Sequence, residues 1–148
     1  MSMLALLILL SAWLPPIPGI QPAQVYAAPA QTWAAGHRGV DYAAEPSTPV
    51  RSIGPGLVAF AGEVAGKPVV SIDHPGTGLR STYEPVVALV HAGEQVSAGQ
   101  LIGLTAEAGG HCAGSCLHLG VRAAQSHDYR DPLLLFGSGF AVLRPLER

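Results

Sequence analysis

The sequence predicts a compact β-rich domain with many tight turns rather than a helical bundle. Composition is the first reason: of 148 residues, 18 are Gly and 13 are Pro, while 49% are apolar and only 12% charged. The second is the pattern from His37 onward, where short apolar runs of strand length alternate with Gly- and Pro-containing turn signals. The third is the lack of any 3.6-residue apolar period longer than about three turns. The length suits one domain. A net charge of −2 without a basic cluster gives no electrostatic footprint for nucleic acid, so no nucleic-acid partner is expected.

The strands are expected in order. Val50–Ile53 and Gly56–Gly62 flank Gly54-Pro55. Val69–Asp73 ends in the turn Pro75–Gly78, and Leu79–Glu84 returns as its hairpin partner. Gln100–Thr105 and Leu117–Ala123 are the later strands. Between them, Val90 to Gly103 forms its own strand–turn–strand unit. Gly93 and Gly99 permit positive φ at two turns, and Val96 between them can point inward. Biotinyl and lipoyl carriers use such a unit too, but they need a modifiable Lys at a hairpin tip. Lys67 is the only lysine, and Gly66-Lys67-Pro68 is not a carrier tip.

The N-terminal region has a different character. Arg38 is the first charged side chain, and Met3 to Leu14 is an apolar run broken by Pro15 and Pro16. A bilayer span needs roughly 20 apolar residues, so the run is short for an anchor and fits the apolar region of a secretory signal peptide. Its start, Met-Ser-Met, carries only the α-amino group as positive charge. Small-residue cleavage options follow Ala27, Ala28 and Ala30. The expected organisation is therefore a signal peptide over 1–28, a linker over 29–36, a domain over 37–136 and a C-terminal tail over 137–148. The protein is expected to be exported, with no stable membrane span after cleavage. An uncleaved N-terminal anchor is the alternative.

Two short stretches carry the chemistry. His37 and Asp41 are four residues apart and can bind one cation. His118 lies on a run that alternates apolar and polar, and is a candidate third ligand from a distant strand. A catalytic zinc site holds three protein ligands and leaves one position open. Taken singly, each of these residues is more simply a surface side chain. His91 and His127 are read as surface residues, Arg122 and Arg130 as solvated, Tyr83 as half core and half groove, and Trp33 as lining a cleft near the first motif.

Five features occur in a fixed order: His37-x-x-x-Asp41, Ser81-Thr82-Tyr83-Glu84, the Val90 to Gly103 stretch, Cys116-Leu117-His118 and Asp131-Pro132-Leu133. In this order they resemble the lysostaphin-type, LytM-like zinc peptidases that cut peptidoglycan peptides, over roughly His37 to Phe136. The resemblance implies an all-β fold, an antiparallel β-sandwich or open barrel of the duplicated-hybrid-motif type. It implies Zn²⁺ as cofactor, with His37, Asp41 and His118 as ligands, and peptidoglycan peptides as partners.

The chain departs from the family in its proton chemistry. Active members carry two further histidines beside the metal. Here Cys116 holds the position of the first His of His-x-His, and Pro85 the position two residues after the strand Tyr. General acid–base groups contribute typically ~10²–10⁴-fold, so activity is expected to be weak. Strand alternation places Glu84 on the face opposite Tyr83 and Pro85, which argues against it as a base. His74 and His111 are candidate substitutes. Cys112 and Cys116 are the only cysteines and are expected to form a disulfide in an exported chain. In the rival arrangement Cys116 is a thiolate ligand in a Cys-x-His pair. The function expected is an exported metalloendopeptidase homologue acting on peptidoglycan with degenerate catalytic histidines. The alternative is an inactive zinc- or wall-binding regulator of another cell-wall hydrolase.

Overall fold

The structure is a computed structural model that describes residues 13–107 and 114–136. Among these the chain runs through β1 (Pro22–Gln24), β2 (Val40–Ala43), β3 (Pro49–Arg51), β4 (Gly56–Val64), β5 (Lys67–His74) and β6 (Leu79–Glu84). It continues through β7 (Val86–Ala88), β8 (Gln95–Val96), β9 (Leu101–Thr105), β10 (Cys116–Ala123) and β11 (Tyr129–Arg130), then a 3-10 turn at Pro132–Leu134. The larger sheet has the order β1-β2-β10-β6-β5-β4-β8, with β11 on the far end of β10, and β3-β9-β7 form a second sheet. Every pairing is antiparallel. The expected all-β antiparallel fold is the one observed.

Alternation in the central strands decides which face is core. On β10, Leu117, Leu119 and Val121 point one way and are 0–1% exposed. Their cross-strand partners Tyr42, Val40, Tyr83 and Ser81 are equally buried. β5 adds Val70 and Ile72 to this face. Each fully buried side chain of this size contributes about 1.5–3 kcal/mol of transfer free energy. The opposite face carries Asp41, His118, Glu84 and Thr82 at successive registers. The Val90 to Gly103 unit behaves as its glycines predict. Gly93 and Gly99 have φ of 92° and 77°, and Val96 between them is buried on β8.

The chain leaves the larger sheet for the smaller one at Pro85, which is buried between β6 and β7 and follows a cis peptide bond. Its carbonyl accepts a hydrogen bond from the Ala106 amide.

Tyr83 is wholly buried, not half in a groove. Its hydroxyl accepts from the Ile53 amide at 2.9 Å and lies 3.0 Å from the Ser81 hydroxyl. Burial pushes its pKa up to about 12. The same network includes His74, whose Nδ1 donates to the Pro55 carbonyl at 2.9 Å while Nε2 lies 2.8 Å from the Ser81 hydroxyl. Burial holds the His74 pKa below its ordinary value, only partly offset by the Pro55 bond and the Asp73 charge. A His whose pKa is lower folded than unfolded costs nothing above about pH 6.5, where both states are neutral. As pH falls below that value the unfolded state binds the proton first and stability drops, until the folded pKa is passed. Metal-free protein is therefore expected to lose thermal stability below about pH 6.5, and His74→Gln should flatten that part of the Tm–pH curve. An equal slope in both proteins would show that His74 is not responsible.

Residues 13–36, expected to be the end of a leader and a linker, pack on the domain. The Leu14 amide donates to Ile53 O, the Arg51 amide donates to Pro16 O, and Ile17 is buried in the core. β1 pairs with β2. The apolar residues Trp13, partly buried, and Ile17, buried, look in the sequence like the continuation of the apolar run, so only packing separates the two. The tail at 137–148 and most of the N-terminal apolar run lie outside the described residues. Among the described residues no helix is long and apolar enough to cross a membrane.

Candidate metal centre

β2 and β10 are hydrogen-bonded neighbours, and His118 lies directly across from Asp41. The first motif enters β2 through Gly39, whose α-carbon packs against the other strand. A Cβ there would lie 2.3 Å from Leu119 O and 2.6 Å from the His118 ring. This close approach brings three side chains together. His118 Nδ1 lies 2.7 Å from Asp41 Oδ1, and His37 Nε2 lies 3.1 Å from Asp41 Oδ2. The two imidazoles meet edge to face with centroids 5.2 Å apart. One ligand atom from each of His37, Asp41 and His118 lies within 4.8 Å of the others, so the group could hold a metal ion. Asp41 is 2% exposed, and the two rings are 11% and 13% exposed.

The donor set itself fits a cation. His37 Nδ1 donates to the Val25 carbonyl at 2.8 Å. Its Nε2 faces a carboxylate oxygen as well, so the two ring nitrogens face two acceptors. A neutral imidazole has one N–H and cannot serve both. With the proton held on Nδ1, the Nε2 lone pair is presented towards Asp41 and His118, which is how a metal-ligating His is usually oriented.

Other candidates are not brought to this place. His74 points to the core face, opposite His118, with both nitrogens engaged by Pro55 and Ser81, so it is no substitute for a missing histidine. His91 and His127 are exposed. Trp33 is 81% exposed on the loop before His37 and does not line a closed cleft. Arg122 is held by the carbonyls of Ala123, Ala124 and Ser126. Cys116 is buried two residues before His118 and is not a free cysteine. Cys112 and His111 lie outside the described residues.

Glu84 is the residue that sequence reasoning discounted. Alternation does place it opposite Tyr83, but Tyr83 marks the core face and the metal group lies on the other. Glu84 sits directly across from His118 on β6. Cross-strand partners have Cβ atoms about 4.5–5.5 Å apart. Its carboxylate lies 3.9 Å from Lys67 Nζ. The missing signal was which face of β6 is buried: Ser81 and Tyr83 are, while Arg80, Thr82 and Glu84 are half-buried, and small polar residues on both faces hide the difference in the sequence.

An antiparallel all-β domain with a His/Asp/His group on the sheet face opposite its core side chains has the build of a metallopeptidase domain. The sequence profile of peptidase family M23 matches residues 35–132, and the chain belongs to that family. An uncharacterized protein of Mycobacterium tuberculosis, Rv2891, is 50% identical over 117 residues, covering 77% of this chain and 47% of the relative. The chain thus spans about half the length of the curated relatives it matches. Lysostaphin, an antimicrobial peptidase from Staphylococcus simulans, is similar in structure with a TM-score of 0.72 at 22% identity, over 91% of this chain and 59% of that one. A zinc containing peptidase from Vibrio cholerae gives 0.69 at 22% identity, over 88% and 41%. Csd3 of Helicobacter pylori gives 0.68 at 26% identity, over 86% and 35%.

Proposed function

We propose that this chain is an exported zinc metalloendopeptidase homologue that acts on peptidoglycan peptides with weak turnover. The observation that carries this reading is the convergence of His37, Asp41 and His118 on the sheet face opposite the core side chains of β10. Zinc held there would polarise a scissile carbonyl and lower the pKa of a water. The protein's own residues set the ligand geometry. Val25 O keeps the His37 proton on Nδ1, and the β2–β10 register aims Asp41 and His118 at each other. The two positions where active members carry proton-transferring histidines hold Pro85, which has no titratable group, and Cys116. Export is supported by the apolar run from Met3 to Leu14. We also propose the Cys112–Cys116 disulfide, supported by Cys116 not being free. Thiol labelling of the native protein without reductant should find no free cysteine. Labelling of both with zinc retained would favour a thiolate ligand instead.

The test is hydrolysis of purified peptidoglycan by the zinc-loaded protein. Turnover is expected to be weak or absent. Pro85→His and Cys116→His together, with Cys112→Ser to avoid a stray thiol, should raise it by about a hundredfold or more, the low end of what acid–base groups contribute, about 10²–10⁴. Peptidoglycan binding without hydrolysis, before and after these changes, would favour a regulator of another cell-wall hydrolase.

A second reading is favoured by the position of Glu84 across from His118. In it the unmodified protein turns over robustly and Glu84 takes the proton that the absent imidazoles would take. Activity lost on His37→Ala, and lost on Glu84→Gln with zinc retained, would establish this reading and overturn the weak one.

A further inference from the structure

We infer that the segment from Trp13 to Ala27 is a retained strap that positions His37, so that removal of any leader falls ahead of Trp13. The inference rests on the reading of His37, Asp41 and His118 as a zinc site. It goes beyond that reading by assigning a role to residues that a signal-peptide pattern would discard.

The strap is fixed at both ends. At its start the Trp13 ring packs edge-on against His74, with centroids 4.9 Å apart. It also lies so close to Gly54 that a Cβ there would come within 2.6 Å of it. The Leu14 amide donates to Ile53 O at 2.8 Å, and Pro16 O accepts from the Arg51 amide at 2.9 Å. Ile17 is 6% exposed and belongs to the same core as Tyr42 and Leu117. In the middle, β1 adds a strand to β2. Near its end the Tyr26 hydroxyl donates to Tyr129 O at 3.2 Å.

The last residues of the strap hold the first metal-facing histidine. The Ala27 amide donates to His37 O and the His37 amide donates to Ala27 O, both at 2.9 Å. Two residues earlier, Val25 O accepts the His37 Nδ1 proton at 2.8 Å. Main chain and ring of His37 are thus gripped by three bonds from one short stretch. A cut after Ala27, Ala28 or Ala30 would put all three bonds on a detached peptide. The imidazole proton would then distribute between both nitrogens, and the form with Nε2 protonated cannot offer that atom to a cation. A partner that fixes the tautomer of a ligating His is worth about 10–100-fold in metal affinity.

Two measurements test the strap. The chain from Met1 to Arg148 is produced in an exporting bacterium, and the zinc-loaded product is examined by intact mass and N-terminal sequencing. The expected first residue is Trp13 or an earlier one. A folded, zinc-loaded product beginning at Ala28, Pro29 or Gln31 would overturn the inference. Separately, Ala27→Pro in the full chain removes the amide that donates to His37 O, at an exposed position. By loosening the main-chain grip that holds the His37 ring against Val25 O, it should keep the circular dichroism spectrum and raise the zinc Kd about tenfold, the low end of what that ring partner is worth. An unchanged Kd would overturn the positioning role while leaving the zinc site standing. An unmodified chain that takes up no zinc would overturn the reading of the site and the strap's role with it.

Discussion

His118→Ala is expected to abolish stoichiometric zinc binding, taking metal analysis of the purified protein from one equivalent to none. His118 is the one group supplied by β10, and it stands opposite Asp41, whose two oxygens face the two imidazoles. Removing the ring leaves two ligands on a single short segment, His37 and Asp41, too few for the three protein ligands of an open zinc site. A ligand at 1,000 times its Kd stabilises the folded state by about 4 kcal/mol, so zinc should raise the Tm of the unmodified protein and leave that of His118→Ala unmoved. Asp41→Ala should behave the same way. His127→Ala, at an exposed position outside the group, should retain both zinc and the Tm response. A full equivalent of zinc in His118→Ala would place the metal elsewhere and remove the basis of the proposed function.

What was legible in the sequence follows from how local each signal is. The hairpin Val69–Glu84, the strand through His118 and the turns at Gly93 and Gly99 are written in alternation and glycine placement, and the structure has them within two residues. β2 was not foreseen as a strand because its four residues hold the motif aspartate, and Asp41 between Val40 and Tyr42 reads as a turn flank. β7, β8 and β11 are two or three residues long, too short for a period to show. The segment 13–27, whose packing on the domain is not visible in the sequence, is a different case. Its Pro and Ala content is that of a linker, and the burial of Ile17 depends on partners tens of residues away. Glu84 shows the limit most clearly. Period-two alternation assigned its relation to Tyr83 correctly, but only the packing of Tyr83 against Leu119 and Val70 tells which side is the core. The convergence of His37, Asp41 and His118 was legible because the family order supplies the long-range pairing that spacing alone leaves open.

Gly39→Ala is expected to impair folding and the metal site together, although it adds a single methyl group at a position with no charge and no hydrogen-bonding side chain. The atom it adds would lie 2.3 Å from the Leu119 carbonyl oxygen and 2.6 Å from two atoms of the His118 ring. The first neighbour is backbone in the central strand β10, flanked by fully buried Leu117 and Val121, and has little freedom to move. The second is the ring whose Nδ1 faces Asp41. To make room, β2 must separate from β10 or the His118 ring must rotate. Separation strains the pairs Leu117–Tyr42 and Leu119–Val40, which are buried on the core face. Overpacking of this kind costs typically 1–3 kcal/mol. Rotation saves the core but turns Nδ1 away from the carboxylate, and zinc affinity falls. Thermal unfolding with and without zinc distinguishes the two routes. A lowered Tm without metal reports strand separation, and a normal Tm that no longer rises with zinc reports ring rotation. Gly120→Ala on the neighbouring strand β10 is a suitable comparison, since its added atom would meet nothing closer than Arg38 O at 3.4 Å. It should be nearly neutral in both measurements. If Gly39→Ala were as neutral as Gly120→Ala, the two strands would have to lie farther apart than the structure shows, and the convergence of His37, Asp41 and His118 would lose its geometric cause.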